Sequence, residues 1–208
     1  MSSVTRVLIV HDSGGGNTAA MARRVARGVE SVAGCEAVVR RVAPLAPANA
    51  PRDDAVPESG APHAEAADLE RCDALVLGSP THFGNMSASL KGWLDGTTAQ
   101  WFAGALAGKP AAAFTSTGSL HGGQESTVLS MTLPLLHHGA LIVGLPYTNP
   151  ELMRTRSGGT PYGASHVSGE AGDRELDEDE ARLCAALGAR VARAAVALAR
   201  ARAEGAGP

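Results

Sequence analysis

The sequence predicts an α/β protein built on a parallel β-sheet with helices on both faces. Short apolar runs alternate with amphipathic helical patterns along the chain, and no internal repeat interrupts them. The first run, 5–11, is apolar almost throughout and ends at glycines, which is typical of a strand buried on both faces. Five successive βα units joined by right-handed crossovers predict a doubly wound five-stranded sheet.

The predicted strands cover 5–11, 36–42, 73–78, 110–115 and 140–144. The helix after the first strand has apolar residues at helical spacing, namely Ala22, Val25, Ala26, Val29 and Val32. The helix after the third strand has one apolar stripe, made of Met86, Leu90, Trp93 and Leu94. The last helix, 176–203, is expected to bury Leu183, Leu187, Val191, Ala195 and Leu198 against the sheet.

Two long connections interrupt this alternation. Segment 44–64 contains five prolines among alanines and acidic residues, which favours an excursion from the domain. Segment 149–173 is rich in Gly, Ser and Thr, and connections this long inside a compact domain are usually functional or disordered. The patterned stretch 158–164 favours a structured loop. At 208 residues the chain suits a single domain, residues 1–208.

Composition excludes several classes of partner. The net charge is −3, so no basic surface indicates binding to nucleic acid or to an anionic membrane. The three cysteines are far apart and form no CxxC motif, which favours reduced thiols in the cytoplasm. A strand begins within a few residues of Met1, and no apolar run approaches membrane-spanning length. We therefore expect a cytoplasmic protein without a signal peptide.

Three polar, glycine-rich loops follow three of the predicted strands. The first loop is 13–18 (Ser-Gly-Gly-Gly-Asn-Thr), the second is 80–86 (Pro-Thr-His-Phe-Gly-Asn-Met), and the third is 116–123 (Ser-Thr-Gly-Ser-Leu-His-Gly-Gly). The carboxyl ends of parallel strands meet at one edge of the sheet, which is where such sheets bind ligands. The three loops therefore predict a cofactor site.

The first loop is suited to holding a phosphate group. Backbone N–H groups at a helix start are unpaired, and three glycines let the backbone approach an anion closely. The loop matches neither GxxxxGK[ST] nor a full GxGxxG, so a nucleoside triphosphatase and a Rossmann dinucleotide site are disfavoured. The alternative is an ordinary helix N-cap at Asn17 or Thr18 after a flexible turn. Taken alone, this loop does not decide between them.

Taken together, the motifs resemble the WrbA-type NAD(P)H:quinone oxidoreductases, a flavodoxin-like family. The resemblance covers nearly the whole chain. It is strongest in 78–86 (Gly-Ser-Pro-Thr-His-Phe-Gly-Asn-Met), in 94–101, and in Ser116-Thr-Gly118 with Gly122-Gly-Gln-Glu125. It continues through Leu136-His-His-Gly-Ala140 and Gly158-Gly-Thr-Pro-Tyr-Gly-Ala164. Several rare motifs in the same order make this resemblance specific.

The resemblance implies FMN at the switch point between the first and third strands of a sheet ordered 2-1-3-4-5. The first loop would hold the phosphate with Ser13, Gly14, Gly15, Gly16, Asn17 and Thr18. The second would line the ribityl chain and one side of the flavin with Pro80, Thr81, His82, Phe83, Gly84 and Asn85. The third would bond the polar edge of the ring with Ser116, Thr117, Gly118, Ser119, Gly122 and Gly123.

The resemblance also implies a substrate pocket and an assembly. Trp101, Phe83 and Tyr162 are its candidate substrate-binding residues, with an interface or loop anchor as the equal alternative for Tyr162. His137 is the candidate catalytic residue and also a candidate FMN-binding residue. NADH or NADPH would reduce the flavin and leave, and a quinone would then take two electrons in the same pocket. The implied assembly is a homotetramer in which neighbouring subunits complete each site, with His137 or Tyr162 near a subunit boundary.

The chain departs from the family pattern at three places. Gly15 replaces an aromatic residue, His82 replaces an arginine, and the third loop is one residue longer. Two other classes stay open: an electron-transfer flavodoxin, which the small net charge disfavours, and a non-enzymatic scaffold. Trp101 and Phe83 could also be core aromatics, and His137 a residue favoured by the helix dipole. No metal site is predicted, because the histidine spacing fits no ligand pattern.

Overall fold

The computed structural model describes residues 4–45 and 60–203. The strands are β1 (Thr5–His11), β2 (Cys35–Arg41), β3 (Ala74–Pro80), β4 (Pro110–Thr117), β5 (Leu141–Ile142) and β6 (Ala164–Val167). The helices are α1 (Asn17–Glu30), α2 (Asp68–Arg71), α3 (Ala88–Asp95), α4 (Thr98–Phe102), α5 (Gln124–His137), α6 (Glu151–Arg154) and α7 (Glu178–Ala203).

The sheet is parallel and has the predicted order β2-β1-β3-β4-β5, with one addition. The strand predicted at 140–144 is reduced to the two residues of β5, which pair with the start of β4. A sixth strand, β6, pairs with the end of β4, from Phe114 to Thr117. The fifth position of the sheet is therefore filled by two short strands: the strand predicted at 140–144 is shorter than expected, and β6 was not predicted.

Close backbone contacts explain this split. After β5 the chain turns away, and the Leu145 N–H donates to the Pro161 carbonyl at 2.8 Å instead of extending the strand. A Cβ on Gly144 would lie 2.4 Å from the Pro161 oxygen, and one on Gly163 would lie 2.1 Å from the Ala113 oxygen. Glycine is required at both positions, so part of the 158–164 motif serves packing against β4.

The two long connections differ in outcome. Segment 149–173 contains α6 and β6, which confirms the expectation of a structured segment. Most of the proline-rich segment 44–64 lies outside the described residues. Its described end pairs with the end of β2, where the Arg41 N–H donates to the Pro62 carbonyl at 2.9 Å and the Ala64 N–H to the Arg41 carbonyl at 2.8 Å.

Alternate residues of β1 point into two cores, one on each face of the sheet. Val7 and Ile9 pack with α1 and α7, whereas Leu8 and Val10 pack with α3 and α5. This arrangement confirms the helices on both faces. The crossing of α1 and α7 depends on small residues, because a Cβ on Gly28 would lie 2.0 Å from the Ala185 oxygen. Of the residues predicted for the last helix, Leu183, Leu187, Val191 and Ala195 are buried.

Helix α5 connects the two edges of the sheet. It begins after the third loop, at the carboxyl edge, and ends where the Gly108 N–H donates to the Gly139 carbonyl at 2.8 Å beside the start of β4. Its 14 residues span about 20 Å. Within 4–45 and 60–203, no helix combines the length and the apolar character needed to cross a bilayer.

Candidate functional site

The three predicted loops meet at the carboxyl edge of the sheet. The Asp12 N–H, beside the first loop, donates to the Gly78 carbonyl at 3.0 Å, just before the second loop. The second and third loops are joined where the Thr81 N–H donates to the Ser116 carbonyl at 2.9 Å. The Thr81 and Thr127 hydroxyl oxygens lie 2.6 Å apart and add a side-chain bond. The structure therefore brings all three loops together.

The first loop forms an open glycine turn at the start of α1. Gly16 occupies the N-cap position with φ +90° and supplies no side-chain cap, so the alternative of an N-cap at Asn17 or Thr18 was wrong. A Cβ on Gly14, Gly15 or Gly16 would meet no atom within 4 Å. Within the described part of the chain, no protein acceptor pairs with the N–H groups of these glycines. Open space and free N–H donors together fit a phosphate group.

Side chains complete this turn. The Ser13 oxygen accepts the Ala19 N–H at 3.2 Å, which leaves the Ser13 hydroxyl hydrogen free to donate. The first turn of α1 contains no acidic residue that would repel an anion. Asn17 donates one amide N–H to the Gly172 carbonyl at 2.7 Å, and Thr18 is buried.

The second loop holds an aromatic residue in a strained conformation. Phe83 has φ +53° and a fully exposed ring, so its interpretation as a core aromatic was wrong. Reciprocal backbone bonds between His82 and Asn85, at 2.8 and 3.1 Å, fix the turn around it. A bulky residue in the left-handed region costs on the order of 1–3 kcal/mol, and such strain is concentrated at functional sites.

The third loop is a tight turn with an exposed tip. Ser116 and Thr117 are buried at the end of β4, whereas Gly118 and Ser119 are exposed. The Thr117 hydroxyl donates to the Ser119 carbonyl at 2.8 Å, and the Gly122 N–H donates to the same oxygen at 3.0 Å. These bonds turn the backbone of the loop toward the second loop and leave its tip in solvent.

A fourth loop, residues 168–174, was missed by the sequence analysis. The Ser168 N–H donates to the Thr117 carbonyl at 2.8 Å, which ties the fourth loop to the third. The bond between Asn17 and the Gly172 carbonyl ties it to the first loop. The four loops thus form a closed ring. The signal that was available is Asp177-x-x-Glu180, a capping box that places a helix start immediately after this segment.

Behind the fourth loop lies a polar cluster that we call the anchoring cluster: His166 and Glu180, which are fully buried, and Arg174, whose side chain is 35% exposed. His166 Nδ1 lies 2.9 Å from Glu180 Oε2, and the Arg174 guanidinium lies 3.1 Å from both oxygens of that carboxylate. Burial raises the pKa of Glu180, but hydrogen bonds from His166, Arg174 and the Val167 and Asp177 N–H groups outweigh it and hold this pKa at about 2. Glu180 is therefore a permanent buried carboxylate.

Trp101 and His137 lie at the other end of the sheet. The Trp101 indole N–H donates to the His137 carbonyl at 3.0 Å, and the two rings lie 5.1 Å apart. The Phe102 ring lies 4.5 Å from the Trp101 ring. With Lys91 and Asp95, Trp101 and His137 border a shallow pocket of about 300 Å³ at the amino edge. Within one chain, the length of α5 separates this aromatic cluster (Trp101, Phe102 and His137) from the loops.

Tyr162 lies at the side of the sheet. It belongs to a turn in which the Thr160 hydroxyl donates to the Gly163 carbonyl at 2.9 Å, next to the middle of β4. Its ring is exposed. The structure therefore places Tyr162 at the side of the sheet, beside β4.

His11, the last residue of β1, is buried just before the first loop. Burial lowers its pKa to about 4, with Arg41 and Arg23 adding to the effect and Asp12 opposing it. Its Nδ1 has no hydrogen-bond partner within residues 4–45 and 60–203. His11 is therefore neutral beneath the glycine turn at neutral pH.

A doubly wound parallel sheet with a ring of polar loops at its carboxyl edge defines a flavodoxin-like flavoprotein. The chain belongs to the NADPH-dependent FMN reductase family, whose family model matches residues 5–149. The flavodoxin-like fold and the WrbA-type resemblance are both confirmed. FMN is the cofactor and NAD(P)H the electron donor.

Individual relatives agree with this assignment. The chain is 41% identical over 210 residues to an NAD(P)H dehydrogenase (quinone) of Aromatoleum aromaticum, covering 95% of this chain and 99% of the relative. The WrbA-like flavodoxin of Agrobacterium tumefaciens is 25% identical, with a TM-score of 0.65 over 93% of this chain and 98% of that one. An archaeal flavodoxin, 18% identical over 92% of this chain and 99% of its own, shares the fold with a TM-score of 0.62.

Proposed function

We propose that this protein is an FMN-dependent NAD(P)H:quinone oxidoreductase whose first loop, 13–18, holds the FMN phosphate. The observation that carries the proposal is the open glycine turn at the start of α1, whose glycine N–H groups have no partner among the described residues, within a closed ring of loops. Its relative from Aromatoleum aromaticum, described as an NAD(P)H dehydrogenase (quinone), supports a quinone as the electron acceptor.

The loops have distinct roles in this proposal. The N–H groups of the glycine turn and the Ser13 hydroxyl bind the phosphate, helped by the positive end of the α1 dipole. The second and third loops hold the ribityl chain and the ring through the residues that the resemblance implies. FMN held there would supply the chemistry of hydride acceptance from the nicotinamide and two-electron reduction of the quinone. Phe83 offers an exposed flat surface to the substrates.

The aromatic cluster acts across a subunit boundary. Leu129, Leu133 and Leu136 form an exposed apolar stripe on the outer face of α5, and this stripe leads to the cluster. Contiguous exposed apolar surface of this kind is typical of subunit interfaces. We propose a homotetramer in which this face packs on another subunit. Trp101 and His137 then border the neighbour's flavin site, where His137 donates a proton to the reduced quinone.

Tyr162 is proposed to contact substrate or the neighbouring subunit from the side of the sheet. A cytoplasmic location is part of the same proposal, supported by the three free cysteines Cys35, Cys72 and Cys184.

Rapid mixing of the FMN-loaded protein with NADH and with NADPH tests the activity. Under anaerobic conditions, one or both nicotinamides should bleach the flavin absorbance, and added benzoquinone should restore it. A flavin that neither nicotinamide reduces would contradict the proposed enzyme and favour the electron-transfer flavodoxin. Light scattering tests the assembly: an active monomer of about 21 kDa would contradict the shared site.

Two matched glycine variants test the placement of the phosphate. Gly16 and Gly34 both have positive φ, +90° and +79°, and a Cβ at either position meets no atom within 4 Å. Gly16→Val should abolish FMN retention, because the side chain forces the glycine turn to change. Gly34→Val, at the far end of α1, imposes similar backbone strain and should retain FMN. Equal retention in both variants would contradict the placement.

A further inference from the structure

Among residues 4–45 and 60–203, it is the fourth loop, 168–174, that closes the ring of loops. Its first residue, Ser168, bonds the Thr117 carbonyl through both its N–H, at 2.8 Å, and its hydroxyl, at 3.0 Å. Its Gly169 oxygen lies 3.6 Å from the position of a Cβ on Gly118, in the third loop. Its Gly172 carbonyl accepts the Asn17 amide at 2.7 Å. The fourth loop therefore spans the gap between the third loop and the glycine turn.

The shape of the fourth loop is fixed from within and from below. The Arg174 N–H donates to the Ser168 carbonyl at 3.0 Å, so the two ends of the loop are bonded to each other. The Gly172 N–H donates to the Gly169 carbonyl at 3.1 Å and makes a turn at the tip. The His166 ring lies 3.0 Å from the Arg174 carbonyl and holds the base.

The Arg174 side chain joins this loop to the core. It donates to the Val167 carbonyl, to both oxygens of the fully buried Glu180, and to Asp177 at 2.7 Å. Glu180 in turn accepts the N–H groups of Gly158 and Val167 at 2.9 and 3.0 Å. Leaving the fully buried Glu180 carboxylate without its partners is unfavourable, so the anchoring cluster keeps the base of the loop in one position.

The contact with Asn17 has a direct effect on the glycine turn. Asn17 is the first residue of α1, and its amide has two N–H donors, of which one is used by the Gly172 carbonyl. This bond holds the Asn17 amide at the start of α1, directly after the glycine turn whose N–H groups are the proposed anion donors. A site that is fixed before binding loses less entropy when the ligand arrives.

We propose that the fourth loop is a fourth wall of the FMN site, and that Arg174 is the residue that positions it through the Gly172–Asn17 contact. This inference rests on the proposed placement of the phosphate at 13–18. It adds to that placement a segment between β6 and α7, far from the three loops in sequence.

Hydrogen exchange on the unmodified protein is the first test. Addition of FMN should slow the exchange of amides in 168–174 together with those in 13–18. Protection of 13–18 without any change in 168–174 would overturn the inference while leaving the phosphate placement intact. Unchanged exchange in both segments would overturn the placement, and the inference with it.

Matched glycine variants give the second test, with FMN dissociation constants measured by quenching of flavin fluorescence. Gly172 and Gly34 have φ of +70° and +79°, a Cβ at either position would meet no atom within 4 Å, and each carbonyl accepts one hydrogen bond. Gly172→Ala should weaken FMN binding about tenfold, or about 1.4 kcal/mol, because strain at φ +70° displaces the carbonyl that holds the Asn17 amide. Gly34→Ala should not weaken it. Equal constants would overturn the inference.

A double-mutant cycle then tests the role of Arg174. Asn17→Ala and Arg174→Gln should each weaken FMN binding about tenfold. The double variant should bind FMN no more weakly than either single variant, because both substitutions remove the same Gly172–Asn17 contact. Arg154→Gln removes an arginine that pairs with Asp179 at 2.6 Å and does not touch the loop, so it should bind FMN normally. A hundredfold loss in the double variant, or normal binding by Arg174→Gln, would overturn the positioning role.

Discussion

The carboxyl and amino edges of the sheet expose different chemical groups. At the carboxyl edge, the surface consists of glycine turns and backbone N–H groups tied to one another by hydrogen bonds. At the amino edge it consists of the rings of Trp101, Phe102 and His137 and the exposed leucines of α5. The first edge suits a charged cofactor and the second suits an apolar partner. One chain holds them a helix length apart, so a complete site needs two chains in the proposed enzyme.

The largest expected effect is on the stability of the carboxyl edge. Glu180→Leu should lower the free energy of unfolding by about 4 kcal/mol, because it leaves buried N–H groups, the buried His166 ring and the half-buried Arg174 guanidinium without their acceptor. Urea unfolding of the apoprotein measures this change in the free energy of unfolding. Glu178→Leu, which removes an exposed pair with Arg182, should cost less than about 1 kcal/mol. Similar losses in the two variants would contradict the anchoring role.

The next effect is acid sensitivity beneath the glycine turn. The pKa of His11 is lowered to about 4 in the fold, so between pH 6.5 and 4 the unfolded chain binds a proton that the native state does not. Stability should therefore fall by about 3 kcal/mol as the pH drops through this window and stay constant above it. Urea unfolding of the apoprotein at about pH 7.5, 5.5 and 4 checks this.

His11→Gln should remove most of that fall, while His121→Gln, at an exposed histidine, serves as the control. If the free energy of unfolding falls equally with pH in the wild type and in His11→Gln, the acid sensitivity comes from other residues. The lowered pKa of Glu180 adds a separate loss below pH 4.5, because a carboxylate with a native pKa of about 2 is protonated more readily when unfolded.

At the amino edge, substitutions should change turnover and leave the cofactor in place. His137→Asn should lower kcat for quinone reduction at least tenfold, because a positioned proton donor usually contributes at least that much to the rate. Its FMN dissociation constant should change much less than kcat, because the loops proposed to hold the phosphate and the ribityl chain belong to the neighbouring subunit and are not altered. Steady-state kinetics and flavin fluorescence measure the two quantities. A loss of FMN binding as large as the loss of kcat would contradict the division between the edges.

The smallest expected effect concerns Phe83. Phe83→Gly should raise the free energy of unfolding by about 1 kcal/mol, since glycine adopts φ +53° without strain and the exposed ring makes little contribution to the core. The Michaelis constant for quinone should rise at the same time. A destabilised variant would mean that the Phe83 ring packs in the native state, contrary to its exposure.

The sequence predicted the sheet order and the three loops because these are local patterns: apolar runs, glycine turns and the strand ends that place them. It did not predict β6 or the fourth loop, which depend on contacts between distant residues. Glu180 binds the Gly158 N–H from α7, and Gly163 is required only because the backbone passes beside Ala113. The position of His137 relative to the loops was also hidden, since it follows from the length and direction of α5.

The split fifth strand also affects how readily the protein could aggregate. A long, unpaired strand at the side of a sheet invites pairing with other chains, and the eight residues of β4 would present such a boundary if it were left uncovered. The two residues of β5, the turn 160–163 and the four residues of β6 divide that boundary into short lengths. The segment that supplies the fourth loop therefore also protects the sheet from aggregation.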